Sequence, residues 1–185
     1  MNKLLGIVGS PRRQGNTHVL VSEILEAACQ EGAEAELVFL DSLEIAECDG
    51  CHACWKGPGC SKGDDMSGLY PKIAESGVLI FGTPVYWYGP TALIKAFLDR
   101  LVYFNCPENR VKISGKKAAL AVPFEENDLG TADLLVAMFE KSLQYLEMEL
   151  AGKIIVPGVT LRGEVQHRKE TLEECRRLGR RLAQE

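Results

Sequence analysis

Five short apolar runs, each separated from the next by a longer segment, constrain the fold of this chain more than any other feature. The runs are Lys3–Gly9, Ala35–Leu40, Val78–Gly82, Lys117–Pro123 and Lys153–Leu161. Most lack a polar/apolar alternation, as expected of strands covered on both faces in a parallel sheet. The segments between them carry the helical period. Thr17 to Glu31 sets Leu20, Ile24 and Ala27-Ala28 on one face. After Pro90, the residues Ile94, Phe97, Leu98 and Leu101 recur at i, i+3, i+4 and i+7. Leu135, Met138, Phe139, Leu143 and Leu146 make a third stripe, and Leu172, Cys175, Gly179 and Leu182 a fourth. Strand alternating with helix implies βαβ units. Five such strands predict an α/β fold with a doubly wound parallel sheet in the order 2-1-3-4-5.

The chain has 185 residues and shows no internal repeat or second-domain linker, so a single domain over residues 1–185 is expected. Its net charge of −5 argues against non-specific nucleic-acid binding, which needs clustered Lys and Arg. No run of about 20 apolar residues is present, so no membrane span is expected. The first apolar run leads into Pro11-Arg12-Arg13 rather than a small-residue cleavage site, which points to a cytoplasmic protein. The longest irregular stretch is 41–65, and a long ordered insertion in a compact domain is usually functional.

Two loops carry ligand-binding chemistry. The first follows the first strand: Gly9-Ser10-Pro11-Arg12-Arg13-Gln14-Gly15-Asn16-Thr17. Hydroxyls, arginines and glycines there precede a helix whose first N–H groups lack intrahelical partners, which suits a phosphate. The loop is neither G-x-G-x-x-G nor G-x-x-x-x-G-K-[ST], so it is no Rossmann or P-loop signature. A polar surface turn capped by Asn16 or Thr17 is the plain alternative. The second loop, Gly82-Thr83-Pro84-Val85-Tyr86-Trp87-Tyr88-Gly89-Pro90, offers aromatic surface for a planar ring beside the first. Core packing or a subunit contact would explain the same aromatics.

Four of the seven cysteines, Cys48, Cys51, Cys54 and Cys60, fall within 13 residues. The first three are at i, i+3 and i+6, and Gly57-Pro58-Gly59 can return the fourth to them. Iron–sulfur clusters use compact runs of this kind. Structural zinc, a redox disulfide and free thiols remain alternatives. Cys29 and Cys175, on helical stripes, are expected in the core.

The phosphate-type loop and the aromatic loop resemble those of the NAD(P)H-dependent FMN reductase family. With the cysteine spacing, they resemble its iron–sulfur flavoprotein branch. The likeness runs from about Lys3 to Arg100. It implies a flavodoxin-like, FMN-binding domain with a cysteine-rich insertion at about 41–65. In that reading Ser10, Arg12, Arg13, Asn16 and Thr17 surround the FMN phosphate. Pro84, Val85, Tyr86, Trp87 and Gly89 surround the isoalloxazine. Cys48, Cys51, Cys54 and Cys60 hold a [4Fe–4S] cluster that exchanges electrons with FMN.

The resemblance also implies a homodimer or dimer of dimers, and a small-molecule or protein redox partner such as NAD(P)H or a ferredoxin. No acid–base or nucleophilic catalytic residue is expected. A third ligand loop is expected after the fourth strand, at Val122–Asn127, but it departs from the family pattern. Many relatives carry small residues there, whereas this chain has Pro123, Phe124, Glu125 and Glu126. Two rival readings are a reductase of FMN or quinones without a cluster, and a zinc- or redox-sensing module.

Overall fold

The computed structural model describes residues 2–57 and 59–184. Pro58, part of the glycine-flanked return in the cysteine run, therefore lies outside the described residues. The strands are β1 (Lys3–Val8), β2 (Glu34–Phe39), β3 (Val78–Gly82), β4 (Lys117–Pro123) and β5 (Glu149–Val156). The helices are α1 (Asn16–Gln30), α2 (Ala53–Lys56), α3 (Met66–Glu75), α4 (Ala92–Arg100), α5 (Pro107–Arg110), α6 (Asp133–Tyr145) and α7 (Lys169–Gln184).

All strand pairs are parallel, and the sheet order is β2-β1-β3-β4-β5, the predicted doubly wound order. The two-residue period of the strands divides the core into two layers. Leu5, Ile7, Leu79, Phe81 and Leu120 pack toward α3, α4 and α6. Leu4, Val8, Ile80, Ala119 and Ala121 pack toward α1 and α7. The central strands are apolar throughout because both faces are covered.

Two sequence expectations need correction, and one helix was not anticipated. The fifth strand begins at Glu149 and ends at Val156, rather than spanning Lys153 to Leu161. Its first half is obscured by a bulge, where Ala118 pairs with Leu150 and Ala119 with Gly152. Its end is set by Gly158, whose φ of +65° turns the chain away. Helix α3 is an element outside the four stripes read from the sequence; it runs through Pro71 and buries Met66, Leu69, Tyr70 and Ile73 at i, i+3, i+4 and i+7. Cys29 is exposed, since it follows the buried pair Ala27-Ala28 round to the solvent side of α1.

Among the described residues, no helix is long and apolar enough to cross a membrane.

Candidate functional site

The two predicted ligand loops leave adjacent strands and are locked together at their roots. Gly9 N–H donates to the Gly82 carbonyl at 2.8 Å. A Cβ on Gly9 would lie 2.0 Å from Ile94 Cγ1, and one on Gly82 would lie 2.5 Å from Val21 Cγ2. Only glycine lets the loops and helices approach this closely. Thr91 completes the joint. Its hydroxyl donates to the Gly9 carbonyl at 2.6 Å and accepts from Ile94 N–H, capping α4.

Above this joint lies a cleft. Ser10, Arg12, Asn16 and Thr17 line it from the first loop, and Pro84, Val85 and Tyr86 from the second. Ser10 and Thr17 are buried and Arg12 is exposed. The N-cap of α1 is Gly15, with no side-chain cap and no acidic residue in the first turn. Asn16 and Thr17 therefore do not act as caps, and the first N–H groups of α1 have no side-chain cap. Its backbone N–H groups and dipole favour an anion there. Gln14 has a φ of +57°, and its N–H donates to His18 Nδ1 at 3.0 Å. Burial pulls the His18 imidazole below its ordinary pKa, with the Arg13 charge adding to the effect. Its neutral form is the one that accepts this bond.

Arg13, Trp87 and Gly89 lie outside the lining of the cleft. Arg13 turns away to pair with Asp41 at 3.3 Å and to stack on Phe39 at 3.7 Å. Trp87 is 96% exposed at the tip of its loop. Gly89 closes that loop through paired backbone bonds with Tyr86 of 2.8 and 3.0 Å.

Phe124 and Glu125, from the third expected ligand loop, line the cleft, as do Thr160 and Arg162, which were not assigned to it from sequence. The last two belong to a strap after β5. Asn16 fastens the strap by donating to the Leu161 carbonyl and accepting from Val165 N–H. Arg162 Nε donates to the Arg13 carbonyl at 2.7 Å. Nothing local in the sequence marks this strap, because its partners lie about 150 residues earlier.

The aromatic loop is strained. Trp87 and Tyr88 have φ of 50° and 60°, between the bridged residues Tyr86 and Gly89. Two successive positive φ values define a type I′ turn, for which Asn-Gly is the preferred pair. Bulky residues in that region cost about 1–3 kcal/mol each. The double substitution Trp87→Asn, Tyr88→Gly is therefore expected to stabilise the ligand-free chain by about 1–2 kcal/mol. A shift of the urea midpoint upward would show it. A downward shift would mean that side-chain contacts outweigh the strain.

The cysteine insertion forms a second hollow, lined by Cys48, Cys51, Cys54 and Cys60 together with Tyr70, Arg100, Val102 and Tyr103. Left-handed Gly50 and His52 turn the chain into α2, which carries Cys54 inward. Burial raises the Cys54 thiol above its ordinary pKa. Tyr70 and Tyr103 stack at 3.9 Å against this region. His52 is engaged edge-on by Trp55 at 4.3 Å. All seven cysteines are free thiols in this conformation. Among the described residues, no three His, Cys, Asp or Glu side chains stand close enough together to hold a metal ion.

The sequence model of the NADPH-dependent FMN reductase family matches residues 2–148. This chain belongs to that family. An iron-sulfur flavoprotein of Archaeoglobus fulgidus is 30% identical over 182 residues, covering 98% of this chain and 79% of the relative. One of Methanocaldococcus jannaschii is 41% identical over 98 residues, covering 53% of this chain and 51% of the relative. The latter match thus spans only about half of that relative's own length. These similarities put the chain in the iron–sulfur flavoprotein branch of the FMN reductase family. An NAD(P)H:quinone oxidoreductase from Methanothermobacter marburgensis has the same fold, with a TM-score of 0.79, 18% identity and 98% of each chain covered. The family match extends well beyond Arg100, the limit of the sequence resemblance.

Proposed function

We propose that this chain is an FMN-dependent electron-transfer oxidoreductase whose four clustered cysteines hold a [4Fe–4S] cluster. One observation carries the reading: a single helix joins the two candidate sites. The cap of α4, Thr91, is bonded to the root of the phosphate-type loop, and its last residue, Arg100, lines the cysteine hollow.

The residues of the cleft fit FMN, and those of the insertion suit a cluster by donor chemistry, their four thiols lining one hollow without being drawn together in this conformation. The uncapped N-terminus of α1, with Ser10, Thr17 and the Arg12 guanidinium, suits a phosphate dianion. Pro84, Val85 and Tyr86 give the adjoining wall the apolar and aromatic surface that a flavin ring needs. In the insertion, four thiols share one hollow with a buried guanidinium, a donor set that suits a cluster carrying excess negative charge. FMN supplies two-electron and one-electron exchange, and the cluster supplies one-electron exchange.

This chain's side chains bind, orient and exclude water, with no acid–base residue assigned. The strap over the phosphate loop closes one end of the cleft through Thr160 and Arg162. The exposed Tyr86, Trp87 and Tyr88 suit a second subunit, giving a homodimer or dimer of dimers with the flavin at its interface. NAD(P)H is the candidate donor, and a small molecule or a ferredoxin-like protein the candidate acceptor.

Anaerobic purification with flavin, iron and acid-labile sulfide analysis tests the reading. About one FMN and four iron per chain are expected. FMN without iron would reduce the protein to a cluster-free reductase. Failure to bind added FMN would overturn the whole assignment.

A further inference from the structure

We infer that Arg100 sets the reduction potential of the four-cysteine centre, acting as a buried cation held against it by Asp64. The inference rests on the cluster reading above.

Arg100 is the last residue of α4 and is 1% exposed, the largest fully buried side chain among the described residues. Four of its five N–H groups are accounted for. One Nη1 hydrogen goes to the Ala46 carbonyl at 2.9 Å and the other to Asp64 Oδ2. Nη2 donates to Asp64 Oδ1 at 3.0 Å and to Cys60 Sγ at 3.4 Å. The fifth, on Nε, is buried without a partner. Arg100 lines the same hollow as all four cysteines.

Stability alone does not account for this arrangement. A buried ion pair contributes little net stability compared with well-packed apolar residues of similar volume. A buried N–H left unpaired is a further cost. Both features make sense beside an anionic sulfur centre. The guanidinium already donates to one cysteine sulfur, and its unpaired N–H is a donor for a second acceptor. Hydrogen bonds to sulfur and net local charge are among the factors that set a cluster's potential.

Asp64 fixes the fork and tempers its charge. Besides Arg100, it accepts from Ala46 N–H at 3.0 Å and Met66 N–H at 3.2 Å, tying the neck of the insertion to α3. The carboxylate is thus placed by backbone bonds that do not depend on the cysteines.

The sign of the effect is fixed by electrostatics. Reduction adds negative charge to the centre, and a neighbouring cation favours the reduced form. Arg100→Gln removes the cation and Asp64→Asn removes its counter-charge, so the two should move the potential in opposite directions. In anaerobically purified full-length protein, EPR-monitored redox titration gives the cluster midpoint. For Arg100→Gln the one-electron equilibrium is expected to shift at least tenfold toward oxidised, about 59 mV more negative. Asp64→Asn is expected to shift it toward reduced, and Arg100→Lys to stay nearer wild type than Arg100→Gln. The flavin midpoint, read in the same titration, should not move, because the flavin cleft lies at the other end of α4.

A purely structural role would not produce shifts of opposite sign. If Arg100→Gln does not fold, Asp64→Asn alone decides: a positive shift supports the inference, and no shift or a negative one overturns it. Wild-type protein lacking iron would overturn the cluster reading and this inference together. Iron-loaded variants with unmoved potentials would overturn this inference alone.

Discussion

Replacing Arg12 with glutamate is expected to weaken FMN binding by about a hundredfold or more, while riboflavin binding stays within about threefold of wild type. Arg12 is the one arginine of its loop that lines the cleft, because Arg13 is held away by Asp41 and Phe39. A hydrogen bond to a charged group contributes about 1.5–3 kcal/mol, and each 1.4 kcal/mol is about tenfold in affinity. Arg12 is solvent-exposed in the free chain, so the lower part of that range applies. Arg12→Ala should then cost about tenfold, and Arg12→Glu adds like-charge repulsion against the phosphate. Riboflavin has the same ring without the phosphate and isolates the effect. Fluorescence quenching titrations on both ligands give the comparison, and added salt should narrow the FMN difference. Equal losses for FMN and riboflavin would mean that Arg12 acts on the ring or the fold. No loss for either would place the phosphate elsewhere. The apo stability should change by no more than about 0.5 kcal/mol, as for other exposed side chains.

What was legible in the sequence divides along physical lines. The sheet order followed from the alternation of strand and helix, and the positions of four strands from continuous apolar runs such as Leu4 to Val8 and Val78 to Phe81. Ser10, Arg12, Asn16, Thr17 and Pro84 to Tyr86 could be grouped because a doubly wound sheet brings consecutive strand ends to one edge. Arg13 and Trp87 had the right chemistry and loop but the wrong direction, which is set by tertiary partners such as Phe39 and by the reversed φ of the turn. Thr160 and Arg162 were invisible because the strap reaches the cleft only through bonds to residues far away in the chain. Arg100 was read only as the end of a family-like stretch. Its significance appears when the insertion folds back over α4 and Asp64 meets it.

The second large effect is expected far from either site, at Gly179. Helix propensity favours Ala over Gly by about 1 kcal/mol, so Gly179→Ala in an open helix should stabilise the chain. Here α7 lies so close to α1 that a Cβ on Gly179 would sit 2.1 Å from the Ile24 carbonyl oxygen and 3.0 Å from Ala27 Cβ. The nearer obstacle is backbone, so no rotamer change relieves it and the helices must separate. Separation would disturb a seam that buries Cys175, whose thiol burial pushes up to about 12, and Leu178 and Leu182 beside it. It would also pull on the ion pair between Arg176 and Glu23. Overpacking of this kind costs about 1–3 kcal/mol and sometimes more, and contact with fixed backbone favours the upper end. After the propensity gain, a net loss of about 2 kcal/mol is expected, or a fall in Tm of about 4–8 °C for a chain of this size.

Gly68→Ala supplies the control. Gly68 is exposed in α3 with nothing within 4 Å of its Cβ position, so the same substitution there should stabilise by about 0.5–1 kcal/mol. Calorimetry on the pair separates crowding from propensity, and a rise in Tm for both would show that α7 moves freely against α1. Because the N-terminus of α1 lines the cleft proposed to hold FMN, displacing the helix at Ile24 should also weaken FMN binding in Gly179→Ala. The Gly68 control, on the opposite layer of the sheet, should leave it unchanged.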